Sequence, residues 1–585
     1  MRKKATSLLA LVLVCLGIAA YAQNGLIDIK KLQDRQYYPT SIYNLSFIGT
    51  SDNYAYTKTG GELFVSDGKA EKELLKLSDL NGELSSFAGI QFVSNDEFAF
   101  VSRKSHAIFR YNIKNKQLKK ICELKENAEN LEADLKNGCA AYTIDGNVWY
   151  SCPDKSPVQL TKDGGKGITY GVAVHRNEFG IEKGFFLSED GKKLAFYRMD
   201  ETMVKEYPIV NTDAREAEPT PIRYPMAGMK SHEVTIFVYD SQTGKTVELQ
   251  TRENNSIEEK EAYLTNLTWN PEGTQLYVQK LNRKQNHLKM NAYDVAGGKL
   301  RKTLFEEKAA KYVEPESPVF FLPKQSNRFI YLSERDGFNH AYLYDVDGNM
   351  IEQLTSGEWM INSIEGFNDK GNEVYFYATK DSPLEQNLYA CNLKNKKIRR
   401  CTPEKGTHHV RFNSAGTLFL DSYSSSSQAR RVVMYNDKAK EIKQLHQSED
   451  PWSKLNKPQI DVFTIKAKDG TDLYARMIKP INFDANKKYP VIVYVYSGPH
   501  AQLITDTWLS GANNFFLFLA QQGYIVWTVD SRGSANRGYE FESAIWRNCG
   551  SIEVSDQMDG VDYLKSLPYV DVNRIGAEFF CIVNR

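Results

Sequence analysis

An all-β propeller of about eight blades, followed by an α/β domain, is the architecture this sequence predicts. Three observations carry it. Short aromatic strands broken by tight turns run from about residue 40 to about residue 455. Within that run a Tyr-Asp pair returns at Tyr239-Asp240, Tyr293-Asp294 and Tyr344-Asp345, at intervals of 54 and 51 residues. Near Pro458 the pattern changes to buried apolar strands alternating with helices.

Composition narrows the classes. The 585 residues exceed one ordinary domain, and 74 Lys+Arg against 73 Asp+Glu leave a net charge of +1. No basic excess is present to neutralise a phosphate backbone, which argues against nucleic acid as a partner. The 41% hydrophobic content is that of a globular chain and not of a polytopic membrane protein, while 34 Tyr and 29 Phe favour strands.

The first element is an address. Arg2, Lys3 and Lys4 precede an apolar run from Leu8 to Ala20, and Ala20-Tyr21-Ala22 sets small residues where a signal peptidase reads. Residues 1–22 therefore read as a signal peptide, and the run is shorter than the ~20 residues of a membrane span. Cys15 lacks the small neighbours of a lipobox. The expectation is an exported protein of bacterial type, periplasmic, cell-surface or secreted, with no membrane span.

Residues 23–457 form the predicted propeller. Strand–turn–strand units are plain at Leu187–Tyr197 around Asp190-Gly191, at Trp269–Val278 and at Phe367–Tyr377. Outer hairpins follow at the Tyr-Asp pairs, at Asn395 and at Tyr435-Asn436. A β-sandwich array would show linkers about every hundred residues, and none is visible. Export makes disulfides an option. Cys139 and Cys152 fall opposite each other if Asp145-Gly146 is a two-residue hairpin turn, and Cys391 and Cys401 flank the turn Lys394-Asn395-Lys396. For both pairs, disulfides and buried free thiols remain open. No Cys/His cluster has zinc spacing, and no cofactor is implied.

Residues 458–585 read as β-α-β-α-β after a hairpin at Asp469-Gly470. The strand from Pro490 to Tyr496 is nearly all apolar or aromatic, as burial on both faces requires. A helix from Asn513 ends at Gly523, and Tyr524–Asp530 is the next strand. Glu553–Leu567 reads as an amphipathic helix with Val554, Met558, Val561 and Leu564 on its apolar face, and Arg574-Ile575-Gly576 opens a third strand.

Several segments then point one way. Tyr496-Ser497-Gly498-Pro499, Asp530-Ser531-Arg532-Gly533-Ser534 with Arg537-Gly538, and Glu553-Val554-Ser555-Asp556-Gln557 stand in order in the α/β part. Asn177-Glu178-Phe179 ahead of Leu194–Asp200, Tyr224–Gly228 and Ser333–Phe338 stand in the propeller. Together they resemble the dipeptidyl peptidase IV family of the prolyl oligopeptidase clan of serine peptidases. The resemblance implies an α/β-hydrolase fold after the propeller, and release of N-terminal dipeptides of the Xaa-Pro or Xaa-Ala type through a serine nucleophile. It implies that Tyr496 stabilises the oxyanion and that Glu178 binds the substrate amine. The family often has consecutive glutamates; here Asn177 stands as a neutral acceptor beside Glu178, with Arg176 as an opposing charge nearby. No segment matches the family's carbonyl-binding arginine well, and Arg103 is the one candidate. Partners implied are peptides with a free N-terminus, and a homodimer is left open.

The catalytic elbow is missing. No Gly-x-Ser-x-Gly occurs in the 585 residues, and the Asp and His that should follow it are absent. Cys581 falls near the expected serine but lacks flanking glycines and a downstream histidine, so it is not read as a nucleophile. The last nine residues depart abruptly from the pattern, as a frame or assembly error or an early stop would make them. The expectation is an incomplete α/β-hydrolase domain with an apolar sheet edge open to water and no peptidase activity. The alternative is a non-catalytic exported propeller that binds peptides or proteins.

Overall fold

The computed structural model describes residues 25–579. The signal reading at residues 1–22 and Cys581 lie outside the described residues. Eight antiparallel sheets follow one another along the chain, at 43–76, 91–123, 129–159, 168–248, 263–308, 320–353, 361–400 and 407–447. These are blades 1 to 8 of a propeller. Each is built from neighbouring strands, and among the described residues no strand from one end of the chain completes a blade at the other. Side chains close the ring instead: Phe47, Tyr54 and Tyr56 of blade 1 pack with Leu420 and Met434 of blade 8. Asn413 Nδ2 adds a hydrogen bond to Asp52 Oδ1 at 2.8 Å.

The turn residues explain the repeat. Asn270, Asn368 and Asn413 each stand after the first strand of a blade, and each side-chain oxygen accepts two backbone N–H groups across the turn. Asp240, Asp345, Asn392 and Asn436 do the same after the third strand. Tyr239, Tyr293, Tyr344 and Tyr435, immediately before such a turn or at its equivalent, are buried among the blades. The recurring Tyr-Asp pair is thus one packing residue and one turn residue.

Blade 4 departs from the plan. Between its strands Lys193–Asp200 and Glu233–Asp240 it sends out a two-stranded ribbon, Glu206–Asn211 paired with Glu218–Arg223, exposed along most of its length.

The cysteine geometry is half as expected. Asp145 and Gly146 both have positive φ, as a two-residue hairpin turn requires, and the pairing Ile144↔Asn147 to Ala140↔Ser151 runs without a shift. Cys139 and Cys152 stand as free thiols. Cys391 and Cys401 are also free, and the register accounts for it: Cys391 pairs with Ile398, while Cys401 bonds back to Leu388. An offset of three residues sends the two side chains into different inter-blade cores, Cys391 beside Leu354 and Cys401 beside Phe419. Burial pushes the Cys391 thiol up to about 11 and that of Cys401 up to about 12.

The C-terminal sheet has five strands: β1 (Gln459–Lys466), β2 (Asp472–Lys479), β3 (Tyr489–Val495), β4 (Ile525–Val529) and β5 (Val570–Phe579). Their spatial order is β1-β2-β4-β3-β5, with β4, β3 and β5 parallel. Helix α1 (Asn514–Gln521) links β3 to β4 and helix α2 (Ile552–Ser566) precedes β5. Asn513 caps α1 by accepting from Phe516 N, and Gly523 at φ +94 releases its end.

The expected apolar face of α2 holds only in its second half, where Leu564 is buried and Val561 packs against the sheet core. Val554 and Met558 are exposed, whereas Glu553, Asp556, Gln557 and Asp559 are buried. Those polar groups have partners beneath the helix: Asp556 takes Arg532, Gln557 reaches Val529 O, and Asp559 accepts Lys468 N. Specific pairing outweighs the apolar pattern here.

The segment before blade 1 docks on the C-terminal unit, where Ile27 and Tyr37 pack with Trp452, Phe516 and Leu517. Propeller and sheet also bond directly, through Tyr539 N to Gly337 O and Asp506 N to Leu384 O. Among the described residues no helix is long and apolar enough to cross a membrane.

Candidate active site

Strand β3 places Tyr496. It lies between β4 and β5, where the chain leaves to one side and then the other, and ligands of parallel sheets gather outside the carboxyl ends of such strands. Tyr496 directly follows β3 and is 36% exposed. The three sequence segments singled out in this domain meet there. Ser497 Oγ accepts from Ser531 Oγ at 3.1 Å and from Gln557 Nε2 at 3.0 Å. Arg532 grips Asp556 through Nη2 to Oδ1 at 2.6 Å and Nε to Oδ2 at 3.0 Å.

The loop after Tyr496 is held by a second network. Asp530 accepts Leu503 N and Ile504 N, and the buried Arg476 donates to Leu503 O and Ser510 O. Burial pushes the Asp530 carboxyl up to about 6 and draws the Arg476 guanidinium down to about 10.

Glu178 sits on a very different support. His175, Arg176, Asn177 and Phe179 all have φ between +51 and +63, a left-handed run that side chains other than glycine rarely adopt. Buried contacts enforce it. His175 Nδ1 and His232 Nε2 are 2.9 Å apart, and Phe179 O accepts Thr265 Oγ1 at 2.6 Å. Gly180, also at positive φ, lies so close to Glu316 O that no Cβ fits. Desolvation holds His175 well below the usual imidazole range, and desolvation with the Arg283 charge brings His232 down to about 4. Both rings are neutral, so one ring nitrogen can donate to the other.

Arg176, the charge beside Glu178 in the sequence, is tied to the propeller's ribbon. Its guanidinium donates to Arg223 O at 2.6 Å and stacks 4.5 Å from the Tyr224 ring, at the root of the ribbon. Arg103 lies exposed in the turn between the second and third strands of blade 2.

Between these two supports lies a pocket that the sequence reading missed. His500, four residues after Tyr496, sets Nε2 3.2 Å from Glu314 Oε2 of the propeller and 3.7 Å from Glu542 Oε2. The hydrogen bond to Glu314 raises the imidazole to about 10, so His500 is a cation at neutral pH. Glu316 and Glu334 line the same space. Burial lifts the Glu542 carboxyl to about 7 and holds that of Glu334 well above the usual range, each reinforced by neighbouring carboxylates. Glu316 is raised as well, by burial and then by Glu314 and Glu178. That coupling joins the Glu178 loop electrostatically to the pocket, and His500 joins it to the Tyr496 loop. Two signals were available: His500 directly follows Tyr496–Pro499, and Glu334 lies within Ser333–Phe338.

Comparison with known proteins fits this arrangement. Residues 91–430 match the dipeptidyl peptidase IV N-terminal region, and residues 511–578 match the prolyl oligopeptidase family. A solved structure from Bacteroides ovatus, provisionally described as a dipeptidyl aminopeptidase IV, is 37% identical with a TM-score of 0.86, covering 95% of this chain and 81% of that one. The chain belongs to the dipeptidyl peptidase IV family. Dipeptidyl-aminopeptidase B of Aspergillus niger is 27% identical over 473 residues, 74% of this chain and 51% of its own length. Dipeptidyl peptidase 4 of Porphyromonas gingivalis shares the fold, with a TM-score of 0.80 at 24% identity over 95% of this chain and 81% of that one. This family member spans about half the length of the curated relatives it matches.

Proposed function

We propose that this chain recognises peptides by their free N-terminus, as the recognition part of an exported serine-type dipeptidyl peptidase acting on Xaa-Pro and Xaa-Ala peptides. The observation that carries the reading is the convergence of the Glu178 and Tyr496 loops on one acidic pocket between propeller and sheet. A carboxylate at Glu178 accepts charge-assisted hydrogen bonds from the substrate ammonium and so fixes how far the chain reaches toward the bond to be cut. The Tyr496 phenol donates to the scissile carbonyl oxygen as that oxygen gains negative charge. Attack itself needs a serine oxygen with a histidine to take its proton, and the 585 residues contain no Gly-x-Ser-x-Gly to present one. Recognition and oxyanion stabilisation are therefore assigned to these residues, and the nucleophilic step is not.

Calorimetric titration tests this. Ala-Pro-Gly-amide is expected to bind at least tenfold more tightly than its Nα-acetyl form, and Glu178→Gln to erase that preference. Equal binding of the two peptides would overturn the reading. Turnover of Gly-Pro-anilide by these 585 residues, blocked by a serine-directed inhibitor, would overturn the assignment of recognition alone.

Two further parts of the proposal rest on other features. The exposed Tyr207, Ile209 and Val210 on the ribbon support pairing with a second copy of this chain, which Ile209→Lys should abolish in light scattering. The positively charged and then apolar N-terminal sequence supports export, and cell fractionation that leaves the chain in the cytoplasm would refute it.

A further inference from the structure

The pocket between the two loops is short of positive charge. Glu314, Glu316, Glu334 and Glu542 line a cavity of about 210 Å³ against a single cation, His500. His500 is already divided between Glu314 and Glu542. Among the described residues neither Glu316 nor Glu334 has an ion-pair partner. Glu542 is only 6% exposed, yet its Oε1 has no hydrogen-bond partner. A buried carboxylate oxygen without a partner is costly, and a cationic donor relieves it.

The rest of the lining says what kind of cation fits. Leu332, Met360 and Ile361 form an apolar wall beside the carboxylates. A bare metal ion gains nothing from such a wall, and to reach His500 it would have to displace the proton that faces Glu314. An aliphatic stem ending in a charged head matches both surfaces, methylenes on the apolar side and the head among the carboxylates. Position agrees with this, since the Glu178 loop packs on the Pro315-Glu316 segment through Gly180 and the Tyr496 loop carries His500.

We propose that this cavity takes the cationic side chain of the peptide's N-terminal residue, so that the chain selects peptides beginning with Lys or Arg ahead of Pro or Ala. The inference rests on Glu178 as the amine-binding residue, because the amine fixes where the first side chain points. Titration with Lys-Pro-Gly-amide, its norleucine analogue and Nα-acetyl-Lys-Pro-Gly-amide separates the two ideas. Lysine is expected to bind at least tenfold more tightly than norleucine, and the ratio to fall to about two or less in Glu334→Gln and in Glu316→Gln. The readout is a ratio within one protein, so either variant alone suffices if the other fails to fold. Equal binding of lysine and norleucine, with acetylation still abolishing it, would overturn the pocket and leave the Glu178 reading intact. Acetylated peptide binding as tightly as free peptide would overturn the Glu178 reading and the pocket with it. A lysine preference unchanged in both variants would place the cation elsewhere and overturn the pocket alone.

Discussion

The two sides that approach the pocket are built in opposite ways: a sheet wall that carries Tyr496 and His500, and a propeller wall behind Glu316 that carries Glu178. Tyr496 extends from the end of a regular central strand, and its loop is tied by buried charge: Arg532 to Asp556, Asp530 to two backbone N–H groups. Glu178 stands in a loop where four of five consecutive residues, His175 to Phe179, are left-handed and none is glycine. Each such residue costs roughly 1–2 kcal/mol, which only the contacts around the loop offset. The difference teaches that the sheet wall fails when a charge is removed, and the propeller wall fails when its support is loosened.

The largest expected effect breaks the sheet wall. Asp556 is fully buried, and Arg532 supplies both its ionic partner and a backbone donor. Arg532→Ala leaves that carboxylate without its cation and should cost about 3–5 kcal/mol. Denaturant unfolding measures it, and a loss below about 1 kcal/mol would mean the pair does not anchor the wall. Peptide binding through Glu178 should suffer less than stability does.

Acid should loosen the other wall. His175 and His232 have folded pKa values below their unfolded ones, His232 at about 4. Between pH 6.5 and about 4 the unfolded rings bind protons that the folded rings refuse, so their stabilising contribution is full above 6.5 and is lost as pH falls through that window. Hydrogen exchange at residues 174–181 should rise from pH 7.5 to pH 5, after correction for intrinsic rates, more than at 496–504. Equal change in both segments would erase the contrast drawn between the walls.

The same contrast decides what was legible in the sequence. Strand periodicity, Asn and Asp turns and the Tyr-Asp repeat are local signals, and they are reliable because each turn side chain bonds within five residues of itself. The strand ahead of Tyr496 was legible because an apolar run before Gly-Pro is a local pattern too, whereas the role given to Tyr496 came through the resemblance. Glu178 was found only through resemblance, since nothing in His175–Gly180 announces a left-handed run. Its conformation is imposed by His232, Thr265 and Glu316, all far along the chain. The exposed first half of the α2 face has the same origin: Asp556 and Gln557 turn inward for partners at Arg532 and Val529 that no helical period encodes, while Val561 and Leu564 face the core as the period requires. Likewise, nothing at Ile27 or Tyr37 says that they will dock beside Phe516.

The smallest expected effect lies where the walls meet. His500 belongs to the sheet side and bonds Glu314 on the propeller side, so it is the charge that joins them. Its imidazole is 36% exposed, and solvent screens such a pair to about 1 kcal/mol or less. The folded ring titrates at about 10 against about 6.5 when unfolded. The contribution is therefore complete below about pH 6.5 and lost as pH rises through 10. His500→Gln should lower the melting temperature slightly at pH 7, and the gap to the unaltered chain should close near pH 10.5. A gap that stays the same at that pH would show that His500 joins the walls by packing, and that the charge balance of the pocket is not what holds them together.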